Sequence, residues 1–150
     1  MYQPRTPGYR KSDAQMRWAL PDRVFFACGA CHILVHAFLA RWGRSGMRAL
    51  WIKPAAGHTG NHIFVDGGSW AFDYHGYTEK DRFLDHTWRG ARRRWPGWQA
   101  SLIELPADIL VSEAKSRDYD GLWLREPGQF LHDAMPRAEA YLNRFPAPPP

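Results

Sequence analysis

The sequence predicts an α+β fold in which a helix opening at a cysteine packs on a small antiparallel sheet. Three observations lead there. From Cys31 the apolar residues Ile33, Leu34, Ala37, Phe38 and Trp42 recur at helical spacing, one stripe over three turns. The runs His62-Ile63-Phe64-Val65 and Trp70-Ala71-Phe72-Asp73 flank Asp66-Gly67-Gly68-Ser69, the pattern of a β-hairpin. Ala49-Leu50-Trp51-Ile52 and Ser101-Leu102-Ile103-Glu104-Leu105 read as further strands. The 150 residues suit a single domain spanning the chain, and neither a repeat nor a long linker divides it.

In chain order, Met1 to Tyr9 carries Pro4, Pro7 and Gly8, which predicts a loose arm over about residues 1–10. Lys11 to Leu20 reads as a short helix with Ser12 as N-cap and Pro21 as its stop. The compact apolar run Val24 to Ala27 precedes Cys28 and is broken by Gly29. Gly43 is the expected C-cap of the Cys31 helix, with Arg41 and Arg44 at the negative end of its dipole. Pro54 ends the first strand, and Ala55 to Gly60 reads as a flexible loop. Thr78 to Trp88 reads as a helix capped by Thr78, followed by a basic, Trp-flanked loop from Arg89 to Pro96. A helix is expected to begin within Pro106 to Ala114, and another to run from about Arg137 to Arg144 with Ala138, Tyr141, Leu142 and Phe145 as its stripe. The Pro-rich tail, about 146–150, should be extended and unpacked.

Composition narrows the class. Aromatic residues make up 15% of the chain, including 8 Trp, enough for both a packed core and an aromatic-lined groove. The net charge of +5 is concentrated at Arg89 to Arg94 and permits acidic partners or nucleic acid without demanding either. Two cysteines are too few for a disulfide-built fold. The polar N-terminus lacks an apolar signal core, and the longest apolar stretch, Val24 to Leu39, is interrupted by Gly29, His32 and His36. The expectation is a protein of the reducing cytoplasm with no membrane span, export without a leader remaining open.

The chemistry-bearing residues begin with Cys31, which stands where a glycine-broken loop enters a helix. A helix N-terminus favours thiolate over thiol, and its N–H groups suit an oxyanion. The small neighbours Gly29 and Ala30 leave room for a substrate. A thiol nucleophile needs a base, and His62 at the head of a strand is the candidate. If Gly67 and Gly68 form a two-residue turn, or Asp66 to Ser69 a four-residue one, His62 lies directly across from Asp73. Cβ atoms in such a pair stand about 4.5–5.5 Å apart on one face. A turn of odd length would put Phe72 there instead.

Cys31 opening a helix, His62 on a strand and Asp73 on the next one give an order that resembles the papain-like cysteine peptidase superfamily, including its compact bacterial NlpC/P60-like members. The matching pieces are Gly29-Ala30-Cys31-His32, Asn61-His62-Ile63-Phe64-Val65 and Phe72-Asp73-Tyr74-His75-Gly76, within about residues 24–77. Phe25 stands where papain carries its oxyanion glutamine, and Ala30 where the NlpC/P60 pattern has an aspartate. The resemblance implies a papain-like core and a Cys–His dyad with a third polar residue. It also implies action on peptide, isopeptide or other amide substrates without a cofactor, as a peptidase, amidase, deamidase or amide-transferring enzyme. Gly29, Ala30, Asn61, Trp70 and His75 are the expected substrate contacts, with His75 also the reserve third member.

Other readings stand beside this one. Cys28-Gly29-Ala30-Cys31 has the spacing of thiol–disulfide redox proteins. Cys28, Cys31, His58 and His62 have the composition of a zinc set. The Arg89–Arg94 run with Trp88, Trp95 and Trp98 suits a nucleic-acid-binding module or, more plainly, a solvated basic segment whose tryptophans pack inward. His32 and His36, four apart, read as polar surface residues of one partly exposed helix face.

Overall fold

Helices and a five-stranded antiparallel sheet make up the fold, seen in a computed structural model that describes residues 4–150. The first three residues of the expected arm lie outside the described residues. Helix α1, Ala14–Trp18, is shorter than the expected Lys11–Leu20, and its N-cap falls one residue later, because the Asp13 carboxylate rather than Ser12 accepts the Met16 N–H at 3.0 Å. The Val24–Ala27 run begins in α2, Asp22–Phe25, and continues through its C-cap, Phe26, into the following turn. Helix α3, Cys31–Trp42, ends at Gly43 as expected.

The sheet comprises β1 (Arg48–Pro54), β2 (His62–Asp66), β3 (Trp70–Asp73), β4 (Gly76–Glu79) and β5 (Ala100–Leu105), in the spatial order β4-β3-β2-β1-β5. Strand alternation sends Ala49, Trp51, Ile63, Val65 and Phe72 to the face covered by α3, where Phe38 stacks on Phe72 at 4.6 Å. Leu50, Ile52, Phe64 and Ala71 face the other way, toward helix α4, Lys80–Arg94. Both faces of the middle strands are therefore apolar. That is why β2 and β3 carry continuous apolar runs rather than a polar alternation.

After β5 the chain passes through a 3₁₀ turn (Ala107–Val111) and α5 (Glu113–Ser116) to α6, Met135–Leu142. Helix α6 packs on α3 and is clamped to the N-terminal helices by Arg137. Its guanidinium donates to Asp22 Oδ1 at 2.8 Å and to the carbonyls of Trp18 and Leu20, while lying 4.0 Å from the Phe25 ring centroid. None of the helices among the described residues is long and apolar enough to cross a membrane.

Three local expectations change. Gly76–Glu79 is a strand, so α4 starts at Lys80 instead of Thr78 and runs on through the basic segment to Arg94. That segment is helix, not loop, and Trp98 beyond it is fully buried against Trp88. The C-terminal tail is not unpacked: Pro146 accepts the Tyr77 hydroxyl at 2.8 Å, and Pro149 accepts from Arg44. The 55–60 loop is tied at its far end, where Thr59 accepts the Trp98 indole N–H and Asn61 accepts that of Trp51, each at 2.8 Å.

The hairpin turn also differs from expectation. Val65 pairs with Phe72 and Asp66 with Ala71, and the Gly67 N–H donates to the Trp70 carbonyl at 2.9 Å. The two-residue turn is thus Gly68-Ser69, with Gly68 at φ +92° in its first position, the glycine-first arrangement such turns favour. Buried Asp66 holds it, accepting Gly68 N–H, Arg48 Nε and Lys80 Nζ at 2.9–3.0 Å. Burial works against that carboxylate's charge, but these donors outweigh it and hold its pKa below the ordinary value. Gly67 itself lies under the Trp70 ring, and a Cβ there would fall 2.1 Å from Trp70 Cε2. Gly67→Ala is expected to destabilise the fold by about 1–3 kcal/mol in denaturant unfolding, the cost of overpacking. An unchanged midpoint would mean the indole moves freely.

Candidate active site

Three elements converge on one cysteine. Cys31 is the first residue of α3, preceded by Gly29 at φ +99°, a backbone angle that lets the chain turn sharply out of α2. Ala30 at the N-cap offers no capping side chain; its carbonyl accepts the Ile33 N–H at 3.1 Å, and the Cys31 and His32 N–H groups are left to other acceptors. His62 opens β2, and Asp73 closes β3.

Because the turn is Gly68-Ser69, the register slides by two residues from the expected one, and Asp73 is the diagonal rather than the direct neighbour of His62. An even slide keeps both side chains on one face. The imidazole spans the extra distance: His62 Nε2 lies 3.0 Å from Asp73 Oδ2, with the two residues 7% and 4% exposed. The other carboxylate oxygen accepts the His75 N–H at 2.9 Å, so Asp73 is held from both sides.

Since Nε2 faces Asp73, it carries the proton it donates there, and Nδ1 is the nitrogen left for Cys31, with which His62 shares a hydrogen bond. Burial opposes charge on both groups. For Cys31 it is outweighed by hydrogen bonds from His32 and His62 and by their charge, and the thiol is brought down to about 5. For His62 it is outweighed by Asp73 and Cys31, and the imidazole is carried up to about 10. Across the interval between these values the pair is thiolate and imidazolium.

His32 is the member the sequence reading missed. Expected on a partly exposed face, it is 2% exposed; its Nε2 donates to the Arg125 carbonyl at 2.6 Å, and its ring also hydrogen-bonds Cys31. The available signal was Ile33-Leu34-Val35, three apolar residues in a row, which mark a helix end buried on more than one side. The Arg125 bond anchors the 121–125 loop over the site. Ser116 Oγ, which accepts the Leu124 N–H at 3.0 Å, holds the same loop from behind.

Around the thiol lies a cleft of about 610 Å³ whose walls include Gly29, Trp51, Asn61, Trp95 and Trp123. A second cavity of about 480 Å³ lies beyond His62, lined by Asp73, His75, Arg82 and His86, and does not reach the thiol. Of the expected substrate contacts, Gly29 and Asn61 line the thiol cleft. His75 is half-exposed in the tight turn between β3 and β4 and borders the second cavity, its Nδ1 3.8 Å from Asp73 Oδ1. Burial keeps its pKa below the ordinary histidine value despite the nearby Asp73 charge, and it does not stand between His62 and a carboxylate. Two expectations are corrected. The Ala30 side chain is fully buried in the core, and Trp70 is buried at the hairpin end of β3 on the α3 face, stacked edge-on to Tyr77 at 5.3 Å. Trp70 is three residues from Asp73, an odd step, so strand alternation points its indole to the opposite face of the sheet from Asp73.

Neither cysteine is in a disulfide. Cys28 is half-buried; burial and the neighbouring Cys31 charge push its thiol up to about 11, with Lys11 working against them. No group of three or more His, Cys, Asp or Glu side chains among the described residues is arranged to hold a metal ion. No protein family, curated protein or solved structure matches the chain.

Proposed function

We propose that this protein is a thiol hydrolase or amide-transferring enzyme with a papain-like core, acting through Cys31, His62 and Asp73 on a peptide, isopeptide or other amide. The observation that carries the reading is the connected series: a cysteine at an uncapped helix N-terminus, an imidazole hydrogen-bonded to it, and a buried carboxylate 3.0 Å from the imidazole's other nitrogen. In this reading the Cys31 thiolate attacks the carbonyl carbon, and the Cys31 N–H at the head of α3 receives the oxyanion. His62 then gives its Nδ1 proton to the departing amine, leaving an acyl-thioester. Neutral His62 takes a proton from the incoming water or amine, which cleaves the thioester and restores the ion pair. Asp73 accepts the Nε2 proton's hydrogen bond throughout, keeping Nδ1 directed at the sulfur.

Two features of the chain support hydrolase over redox chemistry. A resolving thiol in a C-x-x-C pair must ionise to attack, and Cys28 is held at about 11. A redox role also gives no part to the His62–Asp73 pair. The free thiols suit work in a reducing compartment such as the cytoplasm.

The test is the pH dependence of iodoacetamide alkylation, read cysteine by cysteine. Cys31 should label with a midpoint near 5 and stay reactive through neutrality, whereas Cys28 should remain slow below about pH 9. Cys28→Ser should leave the Cys31 profile within about twofold. A Cys31 midpoint at the ordinary thiol value, or loss of its reactivity in Cys28→Ser, would remove the hydrolase reading. Against an amide substrate the same pair gives a bell: the rate rises as Cys31 ionises near 5 and falls as the imidazolium is lost near 10.

A further inference from the structure

Apart from the Cys31 thiolate itself, the cleft around Cys31 is charged in one sense only. Lys11, Arg17 and Arg125 line it, and no Asp or Glu does. Other cations that tie elements of the fold together do have a carboxylate: Arg137 has Asp22, and Arg48 and Lys80 have Asp66. The three cleft cations have no carboxylate partner among the described residues. Arg17 is the telling case. It is only 6% exposed, and its guanidinium donates to the Lys11 carbonyl rather than to an acid. A guanidinium so far out of water ordinarily has an anion beside it. On the same cleft wall as Arg125 stands Trp123, 60% exposed, with the guanidinium carbons of Arg125 and, from outside the cleft, Arg117 at 6.0 and 5.6 Å from its ring. That loop is fixed in place by the His32–Arg125 bond next to the nucleophile.

We propose that the cleft selects an acidic peptide segment, the carboxylate of a side chain beside the scissile amide pairing with Arg17 and Lys11 while the adjoining chain lies against Trp123. The inference rests on the thiol hydrolase reading, since it takes this cleft to be that enzyme's substrate site. A planar guanidinium fork matches a carboxylate bidentately. The volume, about 610 Å³, suits a segment of a few residues. A nucleic acid is the weaker fit, because the strongest basic run, Arg89–Arg94, does not line this cleft, and a polynucleotide backbone offers the thiolate no acyl carbon.

Calorimetric titration of the Cys31→Ala protein, which binds without turnover, tests it directly. Tetraglutamate should bind at least about tenfold more tightly than tetraglutamine at low salt, and the preference should collapse in about 0.5 M salt. Lys11→Gln, at an exposed position that leaves folding untroubled, should cut the preference severalfold, and Arg17→Gln should abolish it. Equal binding of the two peptides overturns the proposal. So does a preference indifferent to salt and to both variants, or tighter binding of an oligothymidylate of equal charge. Alkylation of wild-type Cys31 is read separately, so a failure of the thiolate reading and a failure of acidic selection are told apart.

Discussion

His62→Ala is expected to move the alkylation midpoint of Cys31 from about 5 back toward the ordinary thiol value of 9.0. The imidazole supplies both a hydrogen bond and a neighbouring positive charge, while burial continues to oppose the thiolate. At pH 6 the thiolate fraction falls roughly a thousandfold for such a shift. The rate does not fall as far, because a more basic thiolate is a better nucleophile; with a Brønsted slope of about 0.4–0.5 the net loss is roughly 10–20-fold. Amide turnover loses the general acid as well, a further factor of about 10²–10⁴. The two readouts therefore separate ionisation from proton delivery. If the midpoint stays near 5 in His62→Ala, the second imidazole, His32, is the group that ionises Cys31, and His32→Ala should then move it.

Asp73→Asn should reduce amide turnover by about 10²–10⁴ while leaving iodoacetamide reactivity measurably higher than in His62→Ala. Asp73 accepts on both oxygens, from His62 Nε2 at 3.0 Å and from the His75 N–H at 2.9 Å. A carboxamide has one oxygen. If it serves His62, its NH₂ faces the His75 N–H, donor against donor. If it serves His75, its NH₂ faces Nε2, which must then accept, and the ring proton moves to Nδ1. That tautomer cannot take the Cys31 proton. The variant should fold, since the side chain keeps its volume and one of its two bonds. Full turnover in Asp73→Asn would show that the carboxylate only fills space.

The helix at Cys31 and the hairpin from His62 to Asp73 were legible because each rests on local periodicity: spacing of 3.6 for α3, apolar runs bounded by Gly-rich turn residues for β2 and β3. Parity was legible too. The His62–Asp73 pairing needs only an even turn, and it survives a two-residue slide that the Gly67–Gly68 pair left ambiguous. The slide itself was not legible. Either glycine accepts the positive φ, and the choice falls to Trp70, whose ring lies on Gly67, and to Asp66, which is bonded to Arg48 and Lys80 from β1 and the head of α4. The strand at Gly76–Glu79 was missed for a similar reason: four residues have little periodicity, and pairing with β3 decides them.

Sequence order and local pattern determine which residues carry the chemistry here: a thiol at a helix start and a histidine and a carboxylate on one face of a hairpin. Those facts follow from backbone geometry within short segments. Proximity of Cys31 to His62, the recruitment of His32 through the Arg125 carbonyl, and the uncompensated cations of the cleft were decided by tertiary packing. They join residues 31, 62 and 125 across separate elements. Whether a polar side chain is buried beside a thiol or turned to water depends on what the rest of the chain lays over it, a non-local outcome that no window of neighbouring residues encodes.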